Sequence, residues 1–184
     1  MFAFNDISPL VASATISIHR PPEDVFNFIG ERFFINYPRW SPEVRELKQI
    51  GSGPVQVGTH ARQVRVDLGH RSESIFAVTA LEPAQRVCFT GLSSPYRCDY
   101  EIARLGSHGS TRLVFTFELP TLEMYLRPFK QVIRDAIGSG AERTVRKLKC
   151  LVESESPECG ARSLPRRIPA ATPEIYRTLG GASA

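Results

Sequence analysis

The chain has 184 residues, 42% apolar and 23% charged, which suits one globular domain and is too hydrophobic for a disordered chain. Its 23 basic and 19 acidic side chains leave a net charge of +4, too mild for the dense basic field that neutralises many phosphates, so no nucleic-acid partner is expected. No run of about 18 apolar residues occurs, which excludes a transmembrane helix. Met1 to Leu10 carries Asp6 and Pro9 and no basic start, unlike a secretory signal. Cys88, Cys98, Cys150 and Cys159 form no C-x-x-C pair, so neither a zinc site nor a disulfide scaffold is expected. That usage points to a reducing compartment, the cytoplasm.

Residues 1–11 read as an N-terminal extension. Residues 11–19 alternate, with Ala12, Ala14, Ile16 and Ile18 on one face of a predicted strand. Pro21-Pro22-Glu23-Asp24 then stops the strand and starts a helix. Proline suits the first helical turn, and the two acids suit its positive end. Val25, Phe26, Phe28 and Ile29 give the helix its apolar face, and Gly30 is placed to end it. A second short helix is expected over 31–37, closed by Pro38 and followed by Trp40, which reads as a structural plug.

Strands are predicted over 44–50, 57–67, 71–81, 85–91, 96–105 and 111–119, separated by Gly, Pro and Ser turns. In 57–67 the pair Val64 and Val66 shares a face with His60 and Arg62. The following strands put Ser72, Ser74, Phe76 and Val78 on one face, then Val87 and Phe89. Next come Tyr96, Cys98, Tyr100 and Ile102, and last Leu113, Phe115 and Phe117. Short turns and one polar face describe an antiparallel sheet covered on one side.

The cover is a helix over 123–153, whose stripe runs through Tyr125, Phe129, Val132, Ile133, Ala136, Ile137, Gly140, Thr144, Leu148 and Leu151. Pro128 sits in its first turn or kinks it. Gly138-Ser139-Gly140 interrupts it, leaving either room above the sheet or close helix–sheet packing. Arg143, Arg146, Lys147 and Lys149 cluster late in the helix, where the dipole favours cations, and read as a solvated face. Residues 154–184 hold several prolines and polar residues and read as a disordered tail.

One strand, two short helices, a run of antiparallel strands and a long C-terminal helix resemble the helix-grip fold of the SRPBCC superfamily. That group includes the START-related lipid-transfer domains, the polyketide cyclase/dehydrase family and the coenzyme Q-binding proteins. The wording matches in order. Ile16 to Phe26 is similar to the family's opening strand and proline-led helix start, and Trp40-Ser41-Pro42 to its W-x-P. Val57-Gly58-Thr59 is similar to its V-G-T/S, Leu81-Glu82-Pro83 to its hairpin turn, and Leu148 to Glu153 to its helix ending. The resemblance covers 12–153 and implies an α+β fold, a curved sheet of about seven strands wrapped around the last helix. It does not choose among the family's functions.

Such a grip encloses either a packed core or a cavity. The strand faces above direct His60, Arg62, Ser74, Phe76, Phe89, Tyr96, Tyr100, Phe115 and Phe117 inward, with Tyr125 and Phe129 from the helix. Apolar walls with a few orienting polar groups suit a hydrophobic ligand such as a lipid, polyketide, quinone or aromatic metabolite. Arg62 is the sharpest of these, because a buried guanidinium needs a carboxylate, a carbonyl, water or a ligand. A cyclase or dehydratase in the same pocket would use His60 or a tyrosine as acid/base and Arg62 to hold an enolate. A protein-interaction module acting through the outer sheet face or the tail is the third possibility. No metal cluster, phosphate loop or dinucleotide fingerprint appears, so no cofactor is expected. A monomer or weak homodimer is the expected assembly.

Overall fold

The computed structural model describes residues 8–67, 69–106, 109–121 and 124–155, with the side chains of 124–126 excepted. The expected tail, the position of Tyr125 and the first residues of the N-terminal extension lie outside that description. Seven antiparallel strands form one sheet in the order β1-β7-β6-β5-β4-β3-β2. They are β1 (Leu10–Ile18), β2 (Val44–Ile50), β3 (His60–Asp67), β4 (His70–Glu82), β5 (Arg86–Gly91), β6 (Arg97–Leu105) and β7 (Ser110–Leu119). The long crossover from β1 to β2 holds helix α1 (Pro22–Phe26), a π-helical turn (Asn27–Glu31) and helix α2 (Phe33–Trp40). A 3₁₀ turn (Met124–Phe129) leads into the C-terminal helix α3 (Lys130–Ser154). This is the helix-grip α+β architecture.

Two expectations about the crossover are corrected. Gly30 does not end the first helix, because the backbone continues through the π-helical turn to Glu31. Pro38 does not close α2 but sits inside it. The proline removes one helical hydrogen bond. Burial of Phe33 and Trp40 on either side holds the backbone helical despite that loss.

The inner face of the sheet is set by pairing. Ala12 opposes Phe117 and Ala14 opposes Phe115 across β1 and β7. Phe117 opposes Cys98 and Phe115 opposes Tyr100 across β7 and β6. Phe89 opposes Cys98 across β5 and β6. Phe33 of α2 reaches this face and stacks on Phe89 with ring centroids 4.2 Å apart, while Phe76 meets it edge-on at 5.9 Å. These rings leave only about 10 Å³ between them and form a solid floor at one end of the grip.

Helix α3 lies over β1 and β7. Its C-terminal half is bound in two ways. Ala141, Val145, Leu148 and Val152 are buried against the sheet, and burial of each larger side chain contributes about 2 kcal/mol. Around its end, Glu153 Oε1 accepts from His19 N at 2.7 Å, His19 Nδ1 at 3.1 Å and Lys149 Nζ at 2.8 Å. Arg20 Nη2 donates to the Glu153 and Glu155 carbonyls at 3.1 and 2.7 Å, where the last turn has no helical donors of its own. The Glu155 carboxylate takes Arg32 and Arg39.

The N-terminal half of α3 is different. Phe129, just before it, is 57% exposed and Val132 is 67% exposed. A Cβ added at Gly138 meets nothing within 4 Å, and at Gly140 it meets only Arg143 Nη2, at 3.9 Å. The two glycines therefore do not serve close packing. Each costs a helix about 1 kcal/mol relative to alanine, so the loosened contact comes at a real stability loss.

Candidate functional site

Between the middle of α3, from Ala136 to Lys147, the inner sheet face and α2 lies a cavity of about 600 Å³. A sealed void of that size would cost on the order of 14 kcal/mol, more than most domains hold in net stability. The cavity is not sealed. Exposed Asp67, Ser72, Ser94 and Arg143 are among its lining residues and make its mouth.

The walls are aromatic. Tyr96 stacks with Phe117 at 6.3 Å, and Tyr100 tilts on Phe115 at 4.7 Å. Tyr37 and Trp40 of α2 and Ile137 of α3 complete them. Of the residues expected to face a ligand, Ser74, Tyr96, Tyr100, Phe115 and Phe117 line the cavity. Phe76 and Phe89 lie behind it, in the floor. Phe129 lies in the 3₁₀ turn before α3, is largely exposed, and is not among the residues that line the cavity.

His60 and Arg62 are corrected. Ala61 opposes Phe76 and Gln63 opposes Ser74 across β3 and β4, so the inward residues of β3 are Ala61, Gln63 and Arg65. His60 and Arg62 alternate with these and face outward. Arg62 donates Nε and Nη2 to the Glu73 carboxylate at 2.6 and 2.7 Å and Nη1 to Glu46 at 3.3 Å. The misleading signal was Val64. It is buried on the outer face, flanked by Glu46 and Glu73 on the neighbouring strands, and Arg62 bridges both carboxylates beside it.

The residues that take their place are polar and were missed. Arg65 lines the cavity and donates Nε and Nη2 to Asp67 at 3.2 and 3.1 Å. Its Nη1 donates to Tyr37 Oη at 3.3 Å and Ser41 Oγ at 3.2 Å. Burial works against the guanidinium charge, but Tyr37, Asp67 and Glu43 outweigh it and hold Arg65 firmly protonated. Deeper in, Gln63 Nε2 donates to Ser74 Oγ at 3.0 Å and Tyr96 Oη at 2.9 Å. Gln63 Oε1 and Trp40 Nε1 are buried without a hydrogen-bond partner. The Trp40 ring meets the Tyr100 ring edge-on, with centroids 6.5 Å apart.

Burial dominates the titration of these groups. It pushes the Tyr37 phenol up to about 12 and the Cys98 thiol up to about 12. Tyr96 and Tyr100 are raised by the same cause. At neutral pH the cavity therefore presents neutral phenols and an inert thiol. Among the described residues, no three His, Cys, Asp or Glu side chains are placed to hold a metal ion. No helix among them is long and apolar enough to cross a membrane.

The profile of the family described as polyketide cyclase / dehydrase and lipid transport matches residues 9–153, and the chain belongs to that family. Its fold is one of hydrophobic-ligand binding. A START superfamily protein from Mycobacterium smegmatis superposes with a TM-score of 0.64 at 17% identity, covering 78% of this chain and 97% of that one. The protein TTHA0849 from Thermus thermophilus gives 0.61 at 18%, covering 77% and 96%. The di-domain ARO/CYC StfQ of the steffimycin biosynthetic pathway gives 0.64 at 10%, covering 79% of this chain and 51% of that one. At these identities the likeness is one of fold. No curated protein sequence matches the chain.

Proposed function

We propose that the protein binds one small or medium hydrophobic molecule in the cavity between the sheet and the middle of α3. The carrying observation is the cavity itself, about 600 Å³ with aromatic walls and with Gly140 in its lining, where an added Cβ meets only Arg143 Nη2 at 3.9 Å. That volume falls within the range of about 300–1,000 Å³ common for ligand pockets. Apolar burial supplies the affinity, and Arg65, Ser74 and the tyrosine hydroxyls orient the polar part of the ligand. The free thiols of Cys88, Cys98 and Cys150 support a reducing compartment such as the cytoplasm.

Catalysis by a cyclase or dehydratase is the weaker reading. His60 stands on the outer face, and the cavity phenols keep their protons, so they serve as donors rather than bases. Uptake of N-phenyl-1-naphthylamine, a neutral dye that fluoresces in apolar surroundings, tests binding directly, and native mass spectrometry counts the bound molecules. Saturable uptake of one dye per chain, reduced by Gly140→Leu, is the expected result. No uptake, or uptake indifferent to Gly140→Leu, would refute the cavity as a binding site.

A further inference from the structure

The four cations late in α3 sort into two kinds. Arg146 pairs with Glu142 one turn back. Lys149 bonds Glu153 and the Ser17 carbonyl. Arg143 and Lys147 have no carboxylate partner among the described residues, and the sequence explains why. Their neighbours three and four positions away are Ser139, Gly140, Thr144, Arg146, Cys150 and Leu151, or each other, and none is acidic. These two unpaired cations are also the two of the four that line the cavity, as do Gly140 and Thr144 on the same helix.

The opposite rim holds three carboxylates, but two are already neutralised. Asp67 accepts from both Nε and Nη2 of Arg65, and Glu73 is held the same way by Arg62. Glu43 keeps only the Ser41 hydroxyl at 3.3 Å, with Arg65 nearby. Two unpaired cations against one unpaired carboxylate leave the mouth positive, next to aromatic walls. The geometry points to an amphipathic anion as the ligand: an apolar body inside the cavity, and a carboxylate or similar acidic head between Arg143 and Lys147. This rests on the cavity being a binding site and adds the charge of what it takes. The head lies at the mouth, so it keeps part of its hydration, and the two side chains need only swing toward it.

The test uses two dyes with the same aromatic body, neutral N-phenyl-1-naphthylamine and the anion 8-anilinonaphthalene-1-sulfonate. Replacing both cations (Arg143→Gln with Lys147→Gln) is expected to weaken the anionic dye about tenfold, the scale of a lost charged contact. The neutral dye stays within about twofold. A control with the same charge change elsewhere on α3 (Arg134→Gln with Arg146→Gln) leaves both dyes within about twofold. Raising NaCl from about 0.05 to about 0.5 M weakens only the anionic dye. Equal loss of both dyes, or no selective loss of the anionic one, overturns the anionic assignment while the cavity reading stands. Failure of both dyes to bind the unaltered protein overturns the cavity reading and this one with it. Displacement of the sulfonate by palmitate or by 2-naphthoate then separates an aliphatic acid from an aromatic one, either supporting the assignment. Displacement by neither, with hexadecanol effective, counts against it.

Discussion

The two halves of α3 belong to one continuous helix but meet the sheet on different terms. The C-terminal half buries a full apolar face, and its end is gripped by His19, Lys149, Arg20, Arg32 and Arg39. The N-terminal half carries Val132 in solvent and two glycines with empty space around them, and the cavity opens beneath the middle of the helix, from Ala136 to Lys147. Stability is thus concentrated toward one end of a single element, and room begins at its middle. The anchored half allows the other to stand off the sheet without the helix detaching.

The contrast can be broken most forcefully at Leu148, which is fully buried in the anchored half. Leu148→Ala is expected to cost about 3 kcal/mol in urea unfolding. A cost below about 1 kcal/mol would mean that the anchor lies elsewhere. Next comes filling the open half. Gly140→Leu projects a branched side chain toward the cavity and is expected to weaken dye uptake about tenfold. Unchanged uptake would show that the glycine face is not the ligand's. Gly138→Ala sharpens the comparison from the other side. Nothing stands within 4 Å of the added methyl, so stability should rise by about 1 kcal/mol with uptake unchanged.

The clamp at the C-terminus has a pH signature. Burial raises the pKa of Glu153, but the His19 amide and Lys149 outweigh it and hold the carboxyl below its usual range. A depressed carboxylate contributes stability above its unfolded value of about 4.3 and loses it as the pH falls through the folded value. The stability gap between the native protein and Glu153→Gln should be level near neutrality and shrink below about pH 4. A gap that persists unchanged at pH 3 would remove Glu153 from the clamp. The smallest effect belongs to the exposed end: Val132→Ser should change stability by less than about 0.5 kcal/mol.

Most of the fold was legible because its signals are apolar and periodic. Ala12, Ala14, Ile16 and Ile18 alternate in β1, and Tyr100, Ile102, Leu113 and Phe115 fix the inner face of β6 and β7. The cavity was harder to read for the same reason. In β3 the inward residues are Ala61, Gln63 and Arg65, which carry little hydrophobic signal. Val64 does carry one, but on the outer face under an arginine bridge. A shift of one residue turns Ala61, Gln63 and Arg65 inward in place of His60, Arg62 and Val64 and so moves the polar chemistry to different side chains. The contacts of Arg65 with Tyr37 and Ser41 join β3 to the crossover helix, a pairing that no local spacing encodes. The glycine pair in α3 was visible as an interruption. Only the empty space around it separates room from close packing.

Trp40 carries a consequence of its own. It is the only tryptophan in the chain, it is 2% exposed, and its ring is part of the cavity wall, with an indole N–H that no protein group accepts. Its emission therefore arises from a single, dry environment. A guest lying against the ring alters that emission in the folded state, while unfolding shifts it to the red as water reaches the ring. One intrinsic fluorophore thus reports both occupancy and denaturation, so a titration can be followed optically without attaching any label to the protein.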